Sequence, residues 1–228
     1  MSTIADNIAQ VAARIRAAEQ AAQRAEHSVR LLAVSKTKPS DAVREAYAAG
    51  VHDFGENYLQ EALGKQLELT DLPLIWHFIG PIQSNKTRAI AENFAWVHSV
   101  DRLKIAQRLS EQRPAELPPL NICIQVNVSG EASKSGCTPA DLPALASAIS
   151  ALPRLKLRGL MAIPEPTEDR AAQDAAFATV QKLQASLNLP LDTLSMGMSH
   201  DLESAIAMGA TWVRIGTALF GARDYGQP

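Results

Sequence analysis

Aromatic residues are scarce in this chain of 228 residues: five phenylalanines, three tyrosines and three tryptophans amount to 5% of it. So thin a supply disfavours a stacking platform for single-stranded nucleic acid. Net charge is nearly absent as well, since 22 Lys+Arg against 24 Asp+Glu leave −2. No general basic field therefore draws the chain to nucleic acid or to an anionic membrane surface. The only two cysteines, Cys123 and Cys137, are too far apart for a CxxC and lack a paired-His partner motif, which argues against a redox dithiol or a zinc site. A reducing cytoplasm suits such sparse cysteine. Long apolar runs are missing too: Asp6 and recurrent polar residues interrupt the N-terminus where a signal peptide needs an apolar core, and no stretch approaches a transmembrane span. The five histidines show no HExxH or comparable spacing, so no metal site is expected and they read as structural or solvent-facing.

What is present suits a soluble globular protein, with 46% apolar and 20% charged residues and a length that one domain, 1–228, accommodates. Ile4, Ile8, Val11 and Ile15 predict an amphipathic opening helix from residue 4 to about 27. Eight short apolar runs follow as candidate strands: 31–36, 51–55, 74–80, 96–100, 120–128, 157–163, 193–198 and 212–218. Helical patterns separate them. Ser40 and Asp41 open one that Gly50 closes; Thr138, Pro139 and Asp141 read as the start of another, before Leu142; Phe177, Val180, Leu183 and Leu187 mark a third. Ser199 is placed to cap DLESAIAM, which stops at Gly209. The segments 46–57 and 205–216 echo one another, each leaving an Ala-rich helix at a glycine to enter a strand.

Strands alternating with helices imply a parallel sheet, and eight such units fit a closed (β/α)8 TIM-type barrel with an extra N-terminal helix. The competing open, doubly wound sheet would show GxGxxG after its first strand, where this chain has SKTKPS (35–40). In a barrel the chemistry belongs to the C-terminal strand ends. At the first of them Lys36 closes the run LLAV, where desolvation would favour a nucleophilic amine; the alternative is a lysine whose stem merely covers apolar surface. After strands seven and eight, Ser199 and the Gly216–Thr217 turn are poised to collect an anion, at the usual phosphate site of this fold, or else are an ordinary cap and turn. Arg214 either reaches a cofactor's ring nitrogen or pairs with a buried carboxylate. Glu56 and Glu61 read as a solvated face, and Lys38, Lys86 and Lys134 as surface charges near the mouth. Taken together, a reactive lysine opposite a phosphate site suggests pyridoxal 5'-phosphate (PLP) on Lys36 or a Schiff-base aldolase.

The segments AVSKTKP (33–39), FGENYLQEALGK (54–65), WHFIGPIQSNK (76–86), VHSVDR (97–102), GEASKSG (130–136), LRGLMAI (157–163) and 194–225 together resemble the pyridoxal phosphate homeostasis protein family. The resemblance implies a barrel like the N-terminal domain of alanine racemase, with PLP linked as an internal aldimine to Lys36. It implies phosphate contacts from Ser199, Gly216 and Thr217, Arg214 at the ring nitrogen and Asn57 close to the ring. Family members are regarded as cofactor carriers without an established reaction, so no catalytic residue is assigned; a PLP-dependent racemase or decarboxylase is the alternative. The racemases' further β domain is not expected in a sequence that stops at Pro228, soon after the last barrel strand, nor is a second base, because Tyr47, Tyr58 and Tyr225 have no context marking one. Apo PLP-dependent enzymes are the acceptors to consider, and a barrel under a covering helix is compatible with a monomer. Lys134, on the glycine- and serine-rich loop 129–137, is placed to pass the aldehyde outward by transimination.

Overall fold

Each of the eight apolar runs becomes a strand, and the strands close on themselves in chain order. The structure, a computed structural model, describes residues 2–222. Strands β1 (Arg30–Val34), β2 (Asp53–Glu56), β3 (Ile75–Phe78), β4 (Trp96–Val100), β5 (Leu120–Gln125), β6 (Leu155–Met161), β7 (Thr193–Ser195) and β8 (Trp212–Ile215) run parallel. Closure is made by β8 returning to β1, with Arg30 opposite Trp212 and Ala33 opposite Ile215. Helices α2 (Ser40–Ala48), α3 (Leu59–Glu68), α4 (Thr87–Asn93), α5 (Leu103–Gln112), α6 (Leu142–Ser150), α7 (Arg170–Ser186) and α8 (Leu202–Ala207) make the crossovers, and a short α9 (Thr217–Phe220) follows β8.

The period of two along a strand sorts the buried residues into two cores. Leu32, Ile79, Trp96, Cys123, Met161 and Trp212 fill the inside of the barrel. Their strand neighbours, among them Ala33, Phe54, Phe78, Val97, Ile122, Leu160, Leu194 and Val213, face the helices and join the larger annular core. The echo between 46–57 and 205–216 is real: Gly50 and Gly209 end their helices at φ 99° and 100°. The strands they introduce, β2 and β8, are the two neighbours of β1.

The N-terminal helix α1 (Ile4–Ala21) stops earlier than its apolar spacing predicts, since the chain turns at Gln23 and His27 with φ of 55° and 62°. It packs on α2, α8 and α9. Arg14 holds it there through Glu203 at 2.7 Å, and Arg24 through the carbonyl of Ala210 at 2.6 Å. Two helix starts also differ from expectation. Thr138 makes its bond to the Asp141 N–H within a turn, and α6 begins only at Leu142. Ser199 is not a cap: Asp201 precedes α8, and its carboxylate instead accepts from the Met198 N–H at 2.6 Å. No helix among the described residues is long and apolar enough to cross a membrane.

Candidate functional site

Alternation along the strands carries several side chains past the last inward apolar residue and into the barrel mouth. On β1 the inward phase runs Leu32, Val34, Lys36; on β2 it runs Asp53, Gly55, Asn57; on β8 it runs Trp212, Arg214, Gly216. Lys36, Asn57, Arg214 and Gly216 therefore meet there, and Ser199 and Thr217 join them from the loops after β7 and β8. All six line one cleft of about 260 Å³, walled also by Val34, Ile79, Ile163, Met198 and His200. No tyrosine is among the lining residues described. Tyr58 is exposed, Tyr47 lies on α2, and Tyr225 falls outside the described residues.

The turn after β1 is held from behind. Thr37 has φ 63°, a conformation costly for a side chain with a branched β-carbon, and its N–H donates to Glu61 at 2.6 Å. Lys65 on α3 donates to the Ser35 carbonyl at 2.6 Å and to Glu56 and Glu61 at 2.7 Å each. Ser35 adds its hydroxyl to Glu56 at 2.6 Å. Glu56 is thus not part of a solvated face: it is in phase with Phe54, fully buried between barrel and helices. Burial pushes its carboxyl above the usual value, and Lys65 opposes that rise. The next residue, Asn57, is fixed by close backbone packing. A Cβ at Gly80 would stand 2.3 Å from the Asn57 carbonyl oxygen, so glycine is needed there.

Arg214 is buried and donates to Ser195 Oγ at 2.9 Å and to the Ala162 carbonyl at 3.0 Å. No carboxylate accepts from it among the described residues. Burial brings its guanidinium down to about 10, with Asp201 opposing the fall. Among the described residues these two bonds leave other N–H groups of the guanidinium fork unused. Gly216 ends β8 close to β1, where a Cβ would lie 3.3 Å from the Val34 carbonyl. Beyond it Thr217 opens α9, whose first N–H groups have no acceptor within the helix.

A family model for the N-terminal domain of alanine racemase matches residues 7–224. A pyridoxal phosphate homeostasis protein of Pseudomonas aeruginosa is 79% identical over 228 residues, covering 100% of this chain and 99% of the relative. The chain belongs to the pyridoxal phosphate homeostasis protein family. A member from Escherichia coli K12 is 54% identical over 231 residues, covering 99% of each. Among solved structures, that of PipY from Synechococcus elongatus with PLP bound superposes with a TM-score of 0.84 at 43% identity, over 96% of this chain and 100% of that one. An alanine racemase from Corynebacterium glutamicum shares the fold, with a TM-score of 0.67 at 19% identity over 96% of this chain and 62% of its own.

Within this family's barrel, the sequence motifs missed what stands behind the mouth. His77 and His98 are fully buried inside the barrel, and Ser195 and Asp53 link them to Arg214 and Arg30. Inward phase was the available signal, since His77 follows Ile75 and His98 follows Trp96 at a spacing of two. Lys38 reaches the Ala222 carbonyl at 2.7 Å. Lys134 lines a second cleft that shares Asn57, Ile79 and Ile163 with the first. Cys123 and Cys137 are buried free thiols, pushed up by burial to about 12 and about 11, far from thiolate reactivity.

Proposed function

We propose that the protein binds PLP in the cleft of Lys36 and Arg214 and takes part in holding the cellular supply of that cofactor. The observation that carries this is the convergence of an amine, a guanidinium and a helix-opening Gly–Thr turn on one cleft, in a chain 43% identical to a protein solved with PLP bound. An orphaned polar atom fits the same reading: Asn57 Oδ1 is buried without a hydrogen-bond partner among the described residues, as an acceptor awaiting a ligand would be. Ser199, Gly216 and Thr217 would hold the phosphate, Arg214 would donate to the ring nitrogen, and Asn57 would serve the ring, all from the lining of the one cleft. Lys36, the lysine that lines this cleft, would hold the cofactor covalently through its Nζ. PLP supplies an aldehyde carbon and an electron-poor ring. A guanidinium beside the ring nitrogen donates without surrendering its proton, which suits retention better than carbanion chemistry. The names of the relatives describe homeostasis and state no reaction.

Lys134 stands across the shared wall of the two clefts, 3.5 Å from Glu131, and in this reading accepts the aldehyde on its way to an apo PLP-dependent enzyme. The deciding experiment for the whole proposal is intact and peptide mass after incubation with PLP and borohydride reduction. One reduced adduct on the peptide carrying Lys36, lost in Lys36→Ala while weaker non-covalent uptake persists, is the expected result. No adduct, or an adduct on another lysine, sinks the assignment.

A further inference from the structure

The inside of the barrel carries a continuous line of polar groups from its floor to its mouth. Arg30 Nη2 donates to Asp53 Oδ2 at 3.1 Å, and Asp53 Oδ1 lies 2.9 Å from His77 Nε2. His77 Nδ1 is 2.9 Å from His98 Nε2, and His98 Nδ1 is 2.7 Å from Ser195 Oγ. Ser195 Oγ accepts from Arg214 Nη1 at 2.9 Å. We propose that Asp53, His77, His98 and Ser195 form a one-way hydrogen-bond relay that holds Arg214 as a donor toward the cleft and couples it to the ion pair on the barrel floor. The link to a ligand rests on the functional reading above; the relay itself does not.

Its direction follows from the donor and acceptor inventory once both imidazoles are neutral. Asp53, paired with Arg30, is a carboxylate and only accepts, so His77 must carry its proton on Nε2. Burial lowers both imidazoles and keeps them neutral, against the pull of Asp53 on His77 and with the help of His77 and the Arg214 charge on His98, which is lowered further. A neutral His77 with its proton on Nε2 presents a bare Nδ1, so His98 must donate from Nε2. His98 Nδ1 is then bare and takes the Ser195 hydroxyl proton, which leaves Ser195 lone pairs for Arg214. Every member thus turns its acceptor side toward the cation Arg214 and its donor side toward the anion Asp53.

Without that line, Arg214 would be a buried cation whose direct partners are one hydroxyl and one carbonyl, a costly arrangement. With it, aligned dipoles span the distance to a counter-charge at the other end of the barrel. The surroundings keep the line dry. Trp96 stacks on His77 with ring centres 5.5 Å apart, and Trp212 meets the same ring edge-on at 5.0 Å. Below, Arg30 lies 4.3 Å over Trp212 and Arg158 4.7 Å over Trp96, closing the floor. Asp53, His77, His98 and Ser195 are in this sense positioning residues, acting through Arg214.

The first test needs no cofactor. In unloaded protein labelled with 15N-histidine, two-bond proton–nitrogen correlation spectra at neutral pH should show His77 and His98 neutral, each protonated on Nε2. A charged ring, or an Nδ1–H form at either position, overturns the relay. Asp53→Asn, which touches His77 directly, should also move the His98 ring-proton resonance, and an unmoved His98 breaks the coupling. The second test uses PLP: Ser195→Ala should weaken its retention about tenfold, the weight of one hydrogen bond to a charged group, and shift the absorbance band of the bound cofactor. Ser195→Thr keeps the hydroxyl and should restore both. A merely structural serine would lower the melting temperature and leave the band in place, which also overturns the coupling; if Ser195→Ala does not fold, Asp53→Asn is read for the same band shift. Correct tautomers in a wild type that takes up no PLP would fell the functional reading and keep the relay, whereas the wrong tautomers in a wild type that binds PLP would fell the relay alone.

Discussion

Behind Lys36 and behind Arg214 the molecule buries polarity in two different ways. The group behind Lys36 lies between barrel and helices and is compact and ionic. One ammonium, Lys65, is shared by Glu56, Glu61 and the Ser35 carbonyl, and Glu56 Oε2 has no partner among the described residues. The group behind Arg214 lies inside the barrel and is linear, with neutral members between charges at its ends. The difference teaches what each has to do. A strained turn at Thr37 needs a strong local anchor, and converging charges deliver one; a lone buried guanidinium needs orientation, which a chain of single donors and acceptors supplies.

The sharpest way to break this comparison is to remove one hub from each group. Lys65→Met strands two carboxylates, one of them fully buried, and should cost about 3–5 kcal/mol in urea unfolding, while His98→Gln should cost only about 1–3 kcal/mol. Equal costs would mean that the two groups are not different in kind. Less drastic is Ser199→Ala with Thr217→Ala, which spares both groups and should raise the PLP dissociation rate about 10- to 100-fold through lost bonds to a charged ligand. An unchanged rate would take the phosphate away from this side of the cleft.

Titration separates the two groups by sign. Glu56 is raised by burial, so its contribution to stability is complete below its ordinary 4.5 and is lost as pH rises through the higher folded value. His77 and His98 are lowered by burial, so theirs is complete above the ordinary 6.5 and is lost as pH falls through the folded values. Each proton changes stability by at most about 1.4 kcal/mol per pH unit. Urea stability across pH 4–8 should therefore lose its acid-side fall in part in His98→Gln, and its Glu56 component in Glu56→Gln. Smallest of all is Lys134→Ala, expected to slow activation of an apo acceptor enzyme by loaded protein a few-fold at equal occupancy, roughly what losing a competing nearby amine implies. Identical rates would leave Lys134 a surface charge.

The barrel was legible because alternation and spacing are local: each strand announces itself within a few residues, and strict strand–helix order leaves few topologies. That Lys36, Asn57, Arg214 and Gly216 share one cleft was legible for the same reason, since all lie at strand ends. Glu56 was misread because its partner Lys65 lies on the following helix, where the next carboxylate, Glu61, suggested an exposed face. His77, His98 and Ser195 lie in segments that carry the family resemblance, but nothing in their spacing gave them a role. Ser195 stands 97 positions from His98, and only closure of the barrel brings them within 2.7 Å.

Two of the three tryptophans, Trp96 and Trp212, sit in the barrel interior at 6% and 2% exposure, against the rings of His77 and below the cleft. Indole emission is quenched by a neighbouring charged imidazole and by energy transfer to any chromophore that absorbs where indole emits. The protein thus has an optical gauge at its centre, sensitive from one side to the state of the histidines and from the other to what fills the mouth. Loading with a light-absorbing aldehyde should dim that glow with no label attached, so that filling and emptying can be followed in real time on the unmodified chain.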